Sequence, residues 1–439
     1  MKRIAVFVAC IALSGSLCGH SMAQDRSRVV WPSNLNEYAL KLKVTLVGHR
    51  SQVFNVVVSP DDGLVATADA DNTRLWTTAG QLIAAVDGAV PLFSPDGRAL
   101  LTISKKNANL WDASTGKLRF TLSGHEGDIT SASFSPDGSK VATGSEDGTV
   151  KLWDTATGSA SATLPVWRVK KIKRYRIISR ALHVGVDVYV KFSPDGRTVL
   201  TNTYWEESPA KLWDVATGRL KAELGGHTTV VGYETKQAGV TETSFSPDGK
   251  FIVTTSIGTV RLWETATASM IQELQVSEST ADFSPDSKWL ASTGTGQVLV
   301  MLNLETLKMH WTPGVDTGFL NQHRFSPDSR TYVTGSGYKD HHATVIDVSN
   351  GKVTTKIPLH AKWGWDFISN WLKDVDRLSF HPSSKFLMGA SHQSVTMWDV
   401  STGRVVWETK EGRHPAAFSR DGKLLVTVGM DKKSVLLWE

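Results

Sequence analysis

The stretch Gly124–Asp154 reads GHEGDITSASFSPDGSKVATGSEDGTVKLWD. It opens with Gly-His, runs through an alternating segment (Ile129, Ser131, Ser133), turns at Ser-Pro-Asp-Gly, runs again from Val141 to Gly144, turns at Glu-Asp-Gly and closes on Val150-Lys-Leu-Trp-Asp. Pro, Gly and Asp favour the backbone angles that turns require, so this punctuation predicts three short strands joined by two tight turns.

Working outward, the turn recurs as VSPDDG at 58–63, as FSPDG beginning at 93, 134, 192 and 245, as FSPDS at 283 and 325, as FHPSS at 380 and as FSRDG at 418. Each copy runs on to a closing strand, marked in order by Trp76, Trp111, Trp153, Trp213, Trp263, Asn303, Ile346, Trp398 and Trp438, on average about 45 residues apart. Nine in-phase copies with a Gly-His start and a Trp-Asp finish resemble the WD40 repeat family. The resemblance covers nearly all of the chain beyond its first residues.

It implies an all-β propeller in which each copy contributes one four-stranded blade around a central channel. By motif count there are nine blades; eight or seven, or an open arc, would follow if a weak copy such as Phe283–Leu304 or Phe325–Val348 were displaced. One sheet cannot bury both its faces alone, and stacking blades into a closed ring does. The closure is predicted as well. Leu40, Leu42, Val44 and Leu46 alternate with Lys41, Lys43 and Thr45, the period of a half-buried strand. The ninth copy stops at its third strand, so Leu40–Leu46 is expected to pair with Val435–Trp438 and lock the ring.

The resemblance also implies a structural hydrogen-bonded set of His, strand Ser or Thr, turn Asp and closing Trp. By position these are His125, Thr143, Asp147 and Trp153 in the opening stretch; His49, Thr67, Asp71 and Trp76 in the first copy; His414, Thr427, Asp431 and Trp438 in the last. A Thr, His and Asp together resemble a catalytic triad, but a set repeated within one chain reads as buried polar groups satisfying one another. The fifth copy, with Gly258 in the turn, and the eighth lack the acid and are expected to be less constrained.

Composition bounds the remainder. The chain has 439 residues, 41% of them hydrophobic, with 16 Trp and 36 Gly, which suits many turns and aromatic anchors. Its start carries Lys2 and Arg3, an apolar run from Ile4 to Leu13 extending to Leu17, and small residues at Ser21 and Ala23, the pattern of a bacterial-type signal peptide cut after Ala23. Residues 24–37 read as a linker and 38–439 as the propeller, exported to the periplasm or beyond the cell. No run is long enough to span a membrane. Cys10 and Cys18 both lie in the leader, so no disulfide or thiolate chemistry is expected, and Leu17 is not the small residue that a lipid-modified Cys18 would need before it. The net charge of +5 is too weak to indicate nucleic acid.

Residues that the repeat does not require carry more functional information. Pro165–Asp187 holds Arg168, Lys170, Lys171, Lys173, Arg174, Arg176 and Arg180 interleaved with apolar residues. It reads either as a solvated hairpin or as a contact for an acidic protein, a phospholipid headgroup or a polyanionic glycan. His360–Asp376 (HAKWGWDFISNWLKDVD) has helical spacing and offers Trp363, Trp365 and Trp371, either packed on the blades or exposed as anchors. Thr228–Gly239, Asn202–Pro209 with Tyr204 and Trp205, and Ser336–His342 with Tyr338 are smaller departures. His341 and His342 beside Asp340 specify no third ligand, so neither metal nor other cofactor is expected.

All five insertions join a fourth strand to the next first strand, or a second to a third, and so leave the same end of the propeller. One elaborated face and one plain face are predicted. The leading expectation is a non-catalytic scaffold that binds a protein or anionic polymer through the elaborated face. A small-ligand or hydrolytic propeller using the central channel or a top-face pocket is the alternative, and a structural envelope component a further one. No phosphate loop, elbow nucleophile or metal spacing supports an enzyme.

Overall fold

The computed structural model describes residues 39–70, 72–167, 187–203, 208–231, 234–294, 298–312, 323–335, 342–359 and 377–439. Tyr38–Glu439 makes one compact unit; residues 1–37, where the leader and linker are expected, lie outside the described residues.

Nine four-stranded antiparallel blades form the ring. Blade 1 runs from Asn55–Val58 to Leu82–Asp87, blade 2 from Ala89–Phe93 to Leu118–Leu122, blade 3 from Ile129–Phe134 to Ala160–Pro165 and blade 4 from Val188–Phe192 to Leu220–Leu224. Blades 5 and 6 share one strand, Met270–Phe283, which is the outermost strand of the first and the innermost of the second. Blade 7 runs from His323–Phe325 to Val353–Pro358 and blade 8 from Arg377–Phe380 to Val405–Thr409. The weak copies at 283–304 and 325–348 are thus full blades. A separate hairpin, Thr228–Val231 with Glu234–Gln237, stands before blade 5.

Blade 9 takes three strands from Gly412–Phe418, Leu425–Gly429 and Val435–Trp438, and its fourth is Leu42–Leu46. The register pairs Val44 with Leu437 and Leu46 with Val435, the closure that the alternating apolar residues predict. Lys41 and Glu439 extend the pairing by exchanging backbone hydrogen bonds.

The core lies in the nine junctions between blades. Val44, Leu46, Val56, Val65 and Trp76 pack with Val426, Val428 and Leu437 across the closing junction, and Leu152, Leu164, Val188, Val190 and Trp213 do so between blades 3 and 4. Each closing Trp packs on the preceding blade: Trp153 against Leu101 and Leu110, Trp398 against Val345 and Ile357, Trp438 against Met397 and Trp407. Burying one such indole removes about 150–250 Å² from water, which makes the closing position the strongest single anchor in each blade.

The plain end is built from the Ser-Pro-Asp-Gly turns. Ser135 Oγ donates to Asp137 and accepts from Lys140 N–H, while Gly138 takes a left-handed φ of 71°. In four blades that last position is not glycine: Asp62, Ser287, Ser329 and Ser384 adopt φ of 59–62°. Their side chains reach the preceding turn. Ser287 Oγ accepts from Asp248 N–H, Ser329 Oγ from Asp286 N–H, Ser384 Oγ from Asp328 N–H, and the Asp62 carboxylate from the N–H groups of Arg420 and Asp421. His381 of blade 8 completes this row by donating Nε2–H to Gly422 C=O of blade 9.

Candidate interaction face

The buried polar sets are laid out blade by blade. In blade 3, His125 bonds Thr143 Oγ1 (2.8 Å) and the Asp147 carboxylate (2.9 Å), and Trp153 donates its indole N–H to the same Thr143 hydroxyl (2.8 Å). Thr143 is fully buried and its oxygen already serves two partners, so it has no free path to act as a nucleophile. Burial would raise the Asp147 carboxyl, but hydrogen bonds from Thr149, Glu126 N–H and His125 outweigh it and hold the group at about 2. Burial also keeps His125 below its ordinary value despite the neighbouring carboxylate.

Blade 1 repeats the arrangement. His49 bonds Thr67, Trp76 donates to Thr67, and the Asp69 carboxylate lies 3.0 Å from His49; Asp71, the acid expected here, lies outside the described residues. Asp69 follows Thr67 by two positions, whereas Asp147 follows Thr143 by four, so the acid meets the histidine from an earlier point in the turn.

Blade 5 also departs from the expectation. His227 is fully buried and its ring bonds both Thr254 Oγ1 (2.8 Å) and Thr259 Oγ1 (2.7 Å), so a hydroxyl takes the place of the missing acid. Desolvation, reinforced by Arg261, lowers this imidazole to about 4. In blade 8 the Thr position is Gly389, and the buried Trp398 indole N–H finds no acceptor among the described residues.

In blade 9, Trp438 donates to Thr427, and Asp431 accepts from Lys433 N–H, Ser434 N–H and Ser434 Oγ. His414 does not take the place predicted for it. The connection into this blade is two residues long, so Gly412 lies over Thr427, where a Cβ would stand 2.5 Å from Oγ1. His414 falls instead within the innermost strand, with its ring edge-on to His392.

None of the proposed contact residues Arg168, Lys170, Lys171, Lys173, Arg174, Arg176, Tyr204, Trp205, Tyr338, Trp363, Trp365 and Trp371 falls among the described residues. The topology does fix where their segments attach: 168–186 and 360–376 follow outermost strands, and 204–207 and 336–341 join second to third strands. In an antiparallel four-stranded blade both kinds of connection leave the same end.

The described part of that end adds residues that sequence reading missed. Val47 is 75% exposed, and Phe54 and Met430 are 45% exposed each. A hydrogen bond from Val53 N–H to Lys432 C=O (2.7 Å) ties the second-to-third turn of blade 9 to the segment entering blade 1. The three apolar side chains therefore flank one junction, together with the exposed Arg50, Lys432 and Lys433. A signal was available in the alignment of copies, since Val47, Phe54 and Met430 stand where Gly124–Asp154 and its flank carry Ser123, Thr130 and Glu146. Among the described residues no group of three metal-ligating side chains comes together, and no helix is long and apolar enough to cross a membrane.

Comparison with known proteins places this geometry. The "WD domain, G-beta repeat" family matches residues 40–77, 116–154 and 218–264. The chain is similar to Protein tipD of Dictyostelium discoideum, 25% identical over 276 residues covering 53% of this chain and 43% of that protein. Autophagy-related protein 16 of Arabidopsis thaliana is 26% identical over 239 residues, 52% of this chain and 42% of its own. The guanine nucleotide-binding protein subunit beta of Oryza sativa subsp. japonica is 34% identical over 146 residues, 28% and 38%. The chain spans about two fifths of the length of these curated relatives. Among solved structures, the computationally designed Ika8 protein matches with a TM-score of 0.55 at 19% identity, covering 90% of this chain and 99% of that one, a likeness of fold alone.

Proposed function

The chain belongs to the WD40 repeat family, and from that premise we propose that it is an exported, non-catalytic interaction scaffold that binds a protein or anionic polymer through its insertion-bearing end. The observation that carries this reading is the contrast between the two ends. One is closed by short, internally hydrogen-bonded turns; the other bears the insertions and exposes Val47, Phe54 and Met430 beside Arg50, Lys432 and Lys433. Loops on a rigid scaffold are where binding residues concentrate, and exposed apolar groups rimmed by charge fit a partner surface. A nonspecific nucleic-acid role is not supported by the weak net charge.

Export rests on the leader sequence. Mass spectrometry of the exported protein is expected to give Gln24 as the first residue, and an intact Met1 would remove this part of the reading. For the partner, replacing Arg168, Lys170, Lys171, Lys173 and Arg174 by Gln should weaken retention on an immobilised polyanion. Replacing Val47, Phe54 and Met430 by Ser should weaken capture of protein partners from the native envelope. If both variants behave like the parent, the insertion-bearing end is not the contact surface.

A further inference from the structure

A second feature lies along the axis of the ring. Apart from the shared strand Met270–Phe283, the first strand of each blade stands at the end of its sheet, and the nine together surround a central channel. The channel wall is open to solvent: Val90 and Tyr189 are 49% and 41% exposed, and Lys191, Glu242 and Arg324 are exposed too, although all five belong to innermost strands. Neighbouring strands of the wall lie within reach of one another's side chains. Ser131 Oγ of blade 3 donates to Val188 C=O of blade 4 at 2.6 Å, and Lys191 Nζ of blade 4 donates to Thr243 C=O of blade 5 at 2.9 Å.

Charge on this wall gathers on one arc. Counting three residues back from the turn proline, or from Arg420 in its place in blade 9, gives Lys191 in blade 4, Asp282 in blade 6 and Arg324 in blade 7, and Val, Leu, Ser or Ala in the other six blades. In blade 5 that residue is Ser244, with Glu242 two positions before it and so on the same face of the strand. Four consecutive blades thus present a cation, two carboxylates and a cation. Asp282 is half-buried among them: Arg324 and Phe325 N–H face it from blade 7, Glu242 faces it from blade 5, and Ala291, its strand partner within blade 6, brings no charge. Burial lifts the Asp282 carboxyl to about 6 against the pull of Phe325 N–H and Arg324, and Glu242 adds to the rise. A cationic group placed beside it favours the ionised form.

We propose that Glu242, Asp282 and Arg324 form a channel site for a small zwitterion, an amino acid or short peptide, with its ammonium group at the two carboxylates and its carboxylate on the Arg324 guanidinium. The planar guanidinium fork matches a carboxylate in both charge and shape. Among the described residues no third metal-ligating side chain joins the two carboxylates, a donor set suited to an ammonium group and too small for a metal ion. The site lies in the channel towards the plain end and uses none of the contact residues proposed above, so it stands or falls separately from the scaffold reading.

The test is calorimetric titration of the full chain at pH 7 with glycine, 4-aminobutyrate and triglycine, and with butylamine and butyrate, which each carry one of the two charges. At least one zwitterion is expected to bind saturably and about tenfold or more tighter than either singly charged molecule. The tightest of the three assigns the ligand as amino acid or peptide. Arg324→Gln should bring zwitterion binding down to the level of butylamine and leave butylamine unchanged, whereas Asp282→Asn should weaken both. Lys250→Gln, a control on the plain-end surface, should bind as the parent does. A further arm needs no variant and serves if these do not fold: affinity of the parent for the tightest zwitterion should fall about tenfold for each pH unit below about 6, as Asp282 takes up its proton. Absence of saturable zwitterion binding, equal binding of the singly charged molecules, an affinity unchanged below pH 6, or Asp282 and Arg324 variants that bind as the parent does would overturn the proposal.

Discussion

The two arcs of the ring are held together differently. Blades 1 to 5 are built from the inside: each closing Trp donates to a buried Thr, from Trp76 and Thr67 to Trp263 and Thr254, and three of the five add a histidine beneath. Blades 6 and 7 close on Asn303 and Ile346, and blade 8 on a Trp398 whose N–H has no described acceptor. In this second arc the plain end supplies what the interior lacks, through Ser287, Ser329 and Ser384 reaching back to the preceding turn. In blades 2 to 5 the same turn position is glycine, with no side chain to offer. A repeat that loses its buried polar set is thus fastened at its rim, at the expense of a left-handed backbone that glycine would adopt without strain. Blade 1 has both devices, and it is the blade packed against blade 9, where the ring closes.

The contrast can be broken most severely at the closure itself. Deleting residues 38–46 removes the fourth strand of blade 9 and exposes Leu437 and Val435; cooperative thermal unfolding of the ring is expected to be lost, whereas an unchanged midpoint would refute its role. Within the first arc, Thr254→Val removes the partner of His227 Nε2 and of the Trp263 indole N–H and should cost about 2–4 kcal/mol in denaturant unfolding.

The histidines give the first arc a pH signature. His227 is at about 4 in the fold against an ordinary 6.5, so between these values the unfolded chain binds the proton and the folded one does not. Stability from this group is complete above pH 6.5 and is lost as pH falls towards 4. His227→Gln should flatten that part of the stability profile; an unaltered slope would show that other groups dominate it. In the second arc, Gly389→Thr restores an acceptor at the position facing Trp398 and should stabilise by about 1 kcal/mol, read as a raised midpoint. Ser329→Gly has the smallest expected effect. The lost inter-blade hydrogen bond and the relieved backbone nearly cancel, leaving a change within about 0.5 kcal/mol.

Much of the fold was legible because turn chemistry is local. Ser-Pro-Asp-Gly announces itself in four residues, nine copies set the period, and Leu40–Leu46 could be matched to the strand missing from blade 9. The hydrogen-bonded sets were less legible because they depend on turn length. In blade 1 it is Asp69 that meets His49, at a position in the turn that the other copies do not use, and a connection of two residues moves His414 onto a strand. In blade 5 the partner of His227 was hidden by looking for an acid when a hydroxyl, Thr259, serves. For the interaction face, charge runs and tryptophans drew attention to the insertions, while Val47, Phe54 and Met430, apolar where the opening stretch is polar, were passed over because single apolar residues stand out less than runs.

The strand Met270–Phe283 belongs to two sheets, and the chain passes from blade 5 to blade 6 without leaving β-structure. A near-ninefold ring offers a partner nine almost equivalent angular positions, and only departures from the repeat can distinguish them. Among the described residues, the junction crossed by a continuous strand is such a departure, a landmark marked by unbroken β-structure instead of an insertion. It gives the circle a point from which orientation can be counted.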